Sequence, residues 1–160
     1  MVDLASTQLQ VEAVQIMLFA RSIGDENPAF IDIAHADHMV APPTFTETLQ
    51  HFVAEYEFRP DSGRPWIGSG ASATGLSPRS GENKLHAEQH FEYHAPVRPG
   101  DLLTATTRAG NTWQKAGRNG MLHFFERITE FRNQQGVLVV TSTLVGVSIE
   151  SHQVRGETNA

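Results

Sequence analysis

Two apolar-periodic segments in the first third, then strand-period alternation from Lys84 onward, predict an α+β domain. In it an antiparallel sheet wraps one central helix at about residues 44–56. That helix carries the clearest stripe in the chain: Phe45, Leu49, Phe52, Val53 and Tyr56 fall at i, i+4, i+7, i+8 and i+11. No internal repeat and no linker divides the 160 residues, so one domain over 1–160 is expected, large enough to bury a core without staples.

The first helix is predicted over 8–23. Val11, Val14, Leu18 and Phe19 recur at i, i+3, i+7 and i+8, Thr7-x-x-Gln10 has capping-box spacing, and Gly24 stands where a left-handed stop belongs. The connector Ile31–Val40 is too polar and too short to assign. Pro42 and Pro43 suit the entrance of the central helix, because its first amides need no partner and proline has none to give; Thr44-x-x-Glu47 repeats the capping-box spacing. Residues 57–83, rich in Gly, Pro and Ser, read as a flexible loop. Residues 84–94 alternate strictly, Leu85, Ala87, Gln89, Phe91 and Tyr93 against His86, Glu88, His90, Glu92 and His94. A turn at APVRPGD, strands at 102–109 and 121–132 around a Gly-bearing connection at 110–120, a hairpin turn at Asn133–Gly136 and a long strand at 137–149 follow, giving four strands. The tail 150–160 is polar.

With 39% hydrophobic and 19% charged residues the composition is that of a globular domain, and no apolar run reaches the ~20 residues of a membrane helix. A cytoplasmic location without membrane association is expected. The absence of cysteine excludes a disulfide framework, a thiolate nucleophile and a Cys-based metal site. A net charge of −6 with dispersed basic residues argues against nucleic-acid binding, since phosphate neutralisation needs a clustered basic surface. The glycines of 57–83 are not followed by a P-loop lysine, so they carry no nucleotide signal.

The stretch from Ile23 to Phe45 concentrates chain-breaking and polar residues between the two helical stripes, and reads as the wall of a binding site. Asp25 is equally suited to a turn or cap and to chemistry, Asn27-Pro28 to a structural role, and Phe30 to a pocket or core aromatic.

Four segments in this order resemble the MaoC-like hot-dog family of enoyl-thioester hydratases and 3-hydroxyacyl-thioester dehydratases. FARSIGDENPAF is similar to the motif in which an Asp is followed by Asn-Pro and, five residues on, a His. MVAPPTF resembles the entrance to the central helix, FEYHAPVRPGDLL the strand–turn–strand segment, and ITEFRNQQGVLVVTSTLVGV the closing hairpin; together they span roughly 15–149. The resemblance implies a hot-dog fold paired as a two-hot-dog dimer. It also implies a substrate that carries its own coenzyme A or pantetheine arm, and no further cofactor or metal. In the family an Asp–His pair activates one water and a backbone amide at the helix entrance stabilises the enolate oxygen.

Two positions depart from that pattern. Asp25 matches the family Asp, but the His position holds Phe30, which moves no proton; the helix-entrance Gly aligns with Pro42, which has no N–H. One such donor supplies about 2.7–4 kcal/mol of transition-state stabilisation. Both departures resemble the substrate-binding subunit of two-part dehydratases, whose Asp–His pair comes from a partner hot dog. The resemblance thus implies a non-catalytic subunit binding an acyl thioester through Asn27, Phe30, Ala41, Pro42, Thr44 and Phe45, with Asp25 as a residual catalytic candidate. The partner is a second copy or a His-bearing relative. The alternatives are a stand-alone hydratase in which His35 or His38 substitutes as base, and a thioester-binding homodimer without turnover.

His86, His90 and His94, with Glu88 and Glu92, would share one face of a regular strand; a solvated face is the simpler reading and zinc the sharper one. Arg98, Arg108, Arg118 and Arg127 are candidates for the phosphates of coenzyme A or a pantetheine arm, each also at home as a surface charge.

Overall fold

The computed structural model describes residues 7–52, 84–118 and 120–151. Its centre is a five-stranded antiparallel sheet in the order β1-β3-β4-β5-β2, from β1 (Thr7–Gln10), β2 (Lys84–Tyr93), β3 (Leu102–Gly117), β4 (Gly120–Arg132) and β5 (Leu138–Ser151). Four of the strands are those expected; β1 is the addition. Thr7–Gln10 were read as the start of a helix, yet they pair with Leu102–Ala105, with Leu9 opposite Leu103 and both buried.

The first helix, α1, therefore begins later, at Ala13–Ser22, and its entrance is closed by Gln15, whose Oε1 accepts from Glu12 N–H at 3.0 Å. Its buried face is Ile16, Met17 and Ala20, whereas Val14 and Leu18, expected in the core, are 50% and 56% exposed. Val11 is buried, but as the residue that follows β1: it exchanges backbone bonds with Asp101 and Gly100. The helix stops as expected. Gly24 has φ +74°, its N–H donates to Arg21 O, and Asp25 N–H donates to Ala20 O, a Schellman closure.

The central helix is described over Phe45–Phe52 as a 3-10 helix. Expected residues 53–56 lie outside the described set, as do the predicted loop 57–83 and the tail beyond Ser151. The tight winding follows from the entrance: Phe45 N–H donates to Pro42 O and Glu47 N–H to Thr44 O, both three residues back, with two prolines unable to donate. Phe45 packs edge-on to Phe19 with ring centroids 5.8 Å apart, joining this helix to α1 over the inner face of the sheet. Below it, Glu47 Oε1 accepts from Ser142 Oγ, which accepts from Gln89 Nε2, so two strands hold the helix through polar bonds as well as packing.

Bulges correct two strand readings. The connection expected at 110–120 is strand almost throughout: β3 and β4 stay paired to Gly117↔Gly120, with a register shift between Ala109 and Thr112. Gly110 is there because a Cβ would lie 2.7 Å from the Glu126 side chain, whose Oε2 accepts from Asn111 N–H at 2.8 Å. In β2 the register shifts between His86 and Glu88. Residues paired across antiparallel strands share a face, so His86 (opposite Gly146) lies on the side away from Glu88 (opposite Val145), and the five acidic and imidazole side chains do not share one face.

Candidate functional site

The connector between α1 and the central helix uses its polar groups on itself. Asp25 Oδ1 accepts from Asn27 N–H at 2.9 Å, and Asn27 Oδ1 from Ala29 N–H at 3.0 Å. Asn27 thereby caps the one-turn helix α2 (Pro28–Ile31), with Pro28 at its first position. Phe30 packs against the core. A 3-10 segment kinked at His35 runs over Ile33–His38. His35 Nδ1 sits 2.9 Å from Asp32 Oδ2; the hydrogen bond raises the imidazole pKa and lowers that of the carboxyl. His38 Nε2 lies 3.3 Å from Asp37, with 81% of its side chain exposed. Both imidazoles face solvent.

The segment after β2 locks this connector against the sheet. Ala41 N–H donates to Val97 O at 2.8 Å, and Arg98 Nη1 reaches Met39 O at 3.3 Å. Arg98, a phosphate candidate in the sequence, is thus spent on the buried chain at Met39. Its loop is fixed by Asp101, whose Oδ2 accepts from Arg98 N–H, with Gly100 at φ +90°.

Between these two segments lies a cavity of about 380 Å³, lined by residues 40–42, 44–46 and 93–97 together with Val140. That is within the ~300–1,000 Å³ of small-molecule sites. Of the expected binding residues, Ala41, Pro42, Thr44 and Phe45 line it and Asn27 and Phe30 do not; nor does Asp25, the catalytic candidate. The walls are mostly apolar: Val40, Ala41, Pro42, Phe45, Ala95, Val97.

Three polar features stand out in that lining. Thr44 is the single non-glycine with positive φ among the described residues, at +67°. A β-branched residue there costs about 1–2 kcal/mol, and the conformation aims its N–H at the Tyr93 hydroxyl, 3.1 Å away. Thr46 is 3% exposed and its Oγ1 has no hydrogen-bond partner, an arrangement that costs ~1–3 kcal/mol until something supplies one. His94 turns its Nε2 to Thr141 Oγ1 at 3.0 Å. Thr141 lies on the opposite face of β5 from Val140, so this imidazole is engaged away from the cavity side.

Tyr93, Thr46 and Val140 were not singled out by sequence reasoning as site residues, and His94 only as one of three candidate zinc-ligating histidines. Tyr93 was visible only as the last residue on the apolar side of the β2 alternation, just ahead of the Pro96 turn; no local pattern joins it to Thr44, 49 positions earlier. Among the described residues, no three His, Asp or Glu side chains form a metal-ligating group. There too, no helix is long and apolar enough to cross a membrane.

Compared with known proteins, residues 2–142 match the family described as FAS1-like, dehydratase domain region. A UPF0336 protein of Streptomyces griseus is 30% identical over 139 residues, 83% of this chain and 80% of that protein. A UPF0336 protein of Parafrankia sp. is 35% identical over 147 residues, 87% and 83% of the two chains. Among solved structures, the C-terminally truncated HadBC (3R-hydroxyacyl-ACP dehydratase) complex of Mycobacterium tuberculosis superposes with a TM-score of 0.59 at 23% identity, covering 91% of this chain and 98% of that one. The MaoC-like dehydratase of Rhodospirillum rubrum gives 0.58 at 20%, covering 92% and 90%. The ChsH1–ChsH2 complex of Mycobacterium tuberculosis gives 0.62 at 15%, covering 94% and 84%. At these identities the structures establish the hot-dog fold.

Proposed function

The chain belongs to the FAS1-like dehydratase-domain family, and from that premise we propose that it is the acyl-thioester-binding subunit of a two-part hot-dog dehydratase or hydratase. One observation carries the reading: among the described residues, the cavity at the helix entrance has apolar walls and hydroxyl groups, its imidazole His94 is bonded to Thr141 Oγ1, and none of Asp25, His35 and His38 lines it. Dehydrating a 3-hydroxyacyl thioester takes a proton from the α-carbon and delivers one to the departing β-hydroxyl, and hydration is the reverse. Both need a group that exchanges protons within hydrogen-bond reach of the substrate. Here Asp25 closes a turn, Phe30 packs in the core, and His35 and His38 face solvent. The chain holds the acyl thioester; a partner hot dog supplies the Asp–His pair. Support for a two-protein assembly comes from the structurally similar HadBC and ChsH1–ChsH2, both of which are complexes.

The test is hydration of crotonyl-CoA by the full chain alone, and by the chain mixed with a His-bearing MaoC-like hot-dog protein. The expected outcome is no turnover alone and turnover in the mixture. Turnover by the chain alone, abolished in Asp25→Asn, overturns the reading in favour of a stand-alone hydratase. Thermal stabilisation by crotonyl-CoA without turnover in either preparation points instead to a binding homodimer.

A further inference from the structure

We infer that the Tyr93 phenol is the hydrogen-bond donor that receives the ligand's carbonyl oxygen in this cavity, with Thr44 as its positioning residue. The inference rests on the acyl-thioester reading and adds to it a specific contact. A phenol oxygen both accepts and donates one strong hydrogen bond. At Tyr93 the accepting side is taken by Thr44 N–H at 3.1 Å, a bond made possible by the left-handed backbone of Thr44. With that side occupied, the O–H proton is left to donate, and among the described residues it has no acceptor.

The ring is held as well as the oxygen. It stacks on Phe91 with centroids 6.1 Å apart and an interplanar angle of 12°, and it is 52% exposed, so the hydroxyl is both fixed and reachable. An amide donating into a phenol also polarises it and strengthens the bond the phenol then gives. Strained backbone that persists in a well-packed wall is a mark of a functional position, and Thr44 is the strained residue of this wall.

The remaining lining states what kind of ligand fits. With no Lys or Arg among the described lining residues and His94 turned to Thr141, an anionic head group finds no counter-charge among them. A neutral carbonyl on an apolar chain finds a donor at Tyr93 and apolar contact along Val40, Phe45, Val97 and Val140. The buried hydroxyl of Thr46, in the same lining, is the second polar group such a ligand would meet.

The experiment is difference infrared spectroscopy of carbonyl-labelled crotonyl-CoA bound to the full chain, alone and with its hot-dog partner, together with titration of its affinity. In the wild-type chain the thioester carbonyl band is expected to move to lower frequency on binding. In Tyr93→Phe the shift should disappear and affinity fall about two- to ten-fold, the contribution of one neutral hydrogen bond. Incorporating a difluorinated tyrosine at position 93, at a pH low enough to keep that more acidic phenol protonated, makes it a better donor and a poorer acceptor, so the shift should grow; a purely structural tyrosine would show no such change. Saturable binding with the same band and affinity in wild type and Tyr93→Phe overturns this inference and leaves the acyl-binding reading standing. No binding by the wild-type chain, with or without partner, overturns both. Should Tyr93→Phe fail to fold, the fluorinated chain decides: an unchanged shift overturns the inference.

Discussion

The connector at 24–39 and the wall formed by 40–46 with 93–97 invite opposite expectations, and the structure reverses them. The connector has the vocabulary of an active site, with four carboxylates, an asparagine and two histidines, yet Asp25, Asn27, Asp32, His35, Asp37 and His38 bond to one another or to the adjacent backbone. The wall is built from Ala, Pro, Val and Phe around a few hydroxyl groups, and it lines the cavity. The difference lies in sequence separation. Short polar side chains in a proline-bearing turn reach their own backbone before they reach anything else. A hydroxyl at the end of a strand has no local backbone to satisfy it and becomes available to another segment, as Tyr93 is to Thr44.

The wall should therefore be the energetically sensitive half. Phe45 is 2% exposed and joins the core cluster and the lining alike. Phe45→Ala is expected to cost about 3–5 kcal/mol in denaturant unfolding, the range for deleting a buried phenylalanine ring, and to lose crotonyl-CoA binding with it. Phe30, only partly buried at the margin of the same cluster, gives the contrast. Phe30→Leu retains most of the volume and should cost less than about 1.5 kcal/mol. Equal losses from the two variants, measured side by side, would erase the distinction between wall and connector.

Much of the sheet was legible from alternation alone, because period-2 patterning over ten or more residues has no helical equivalent; β2, β4 and β5 fall within a residue or two of expectation. The misses share a cause. Gly110 and Asn111 look like a loop, but the glycine is there for the approach of Glu126 in a bulge, and strand pairing continues past it. Val14 and Leu18 mimic a helical stripe because Leu9 of β1 and Val11, the residue that follows it, lie just ahead of the helix, and two periods were read as one. In the site, the helix-entrance half was visible as Ala41, Pro42, Thr44 and Phe45, and the strand half was not. Distant segments meet through the sheet register, which a bulge at His86/Glu88 can shift by one residue without disturbing the pattern of letters.

Within the connector, the effects should be those of turns and caps. Gly24→Ala places a side chain at φ +74° with nothing within 4 Å of the new Cβ, so only the backbone penalty of about 1–2 kcal/mol is expected. Asn27→Ala removes the α2 cap and should cost about 1 kcal/mol. Asp25→Asn keeps an oxygen for the Asn27 amide and should leave both stability and the turnover of the reconstituted assembly unchanged. A loss of turnover in Asp25→Asn with unfolding unaltered would move the chemistry back into the connector.

The smallest effect separates the two regions by pH. The hydrogen bond to Asp32 raises His35 above its ordinary 6.5, and the bond to His35 draws Asp32 below its ordinary 3.8. A raised histidine stabilises the fold fully below 6.5 and ceases to do so as the pH climbs through the raised value. A lowered carboxyl stabilises it above 3.8 and ceases to do so as the pH falls through the lowered value, so the pair acts in the window between. Both groups are exposed, so solvent screens the contribution to stability and the clear readout is the titration itself. Proton NMR of the His35 ring should show an elevated midpoint that returns to the ordinary value in Asp32→Asn. If His35 served as a substitute base, the same substitution would displace the acidic limb of the assembly's pH–rate profile toward lower pH, because a base is active only once deprotonated. A shifted imidazole beside an unshifted rate profile is the outcome expected of a connector whose polar groups serve only its own shape.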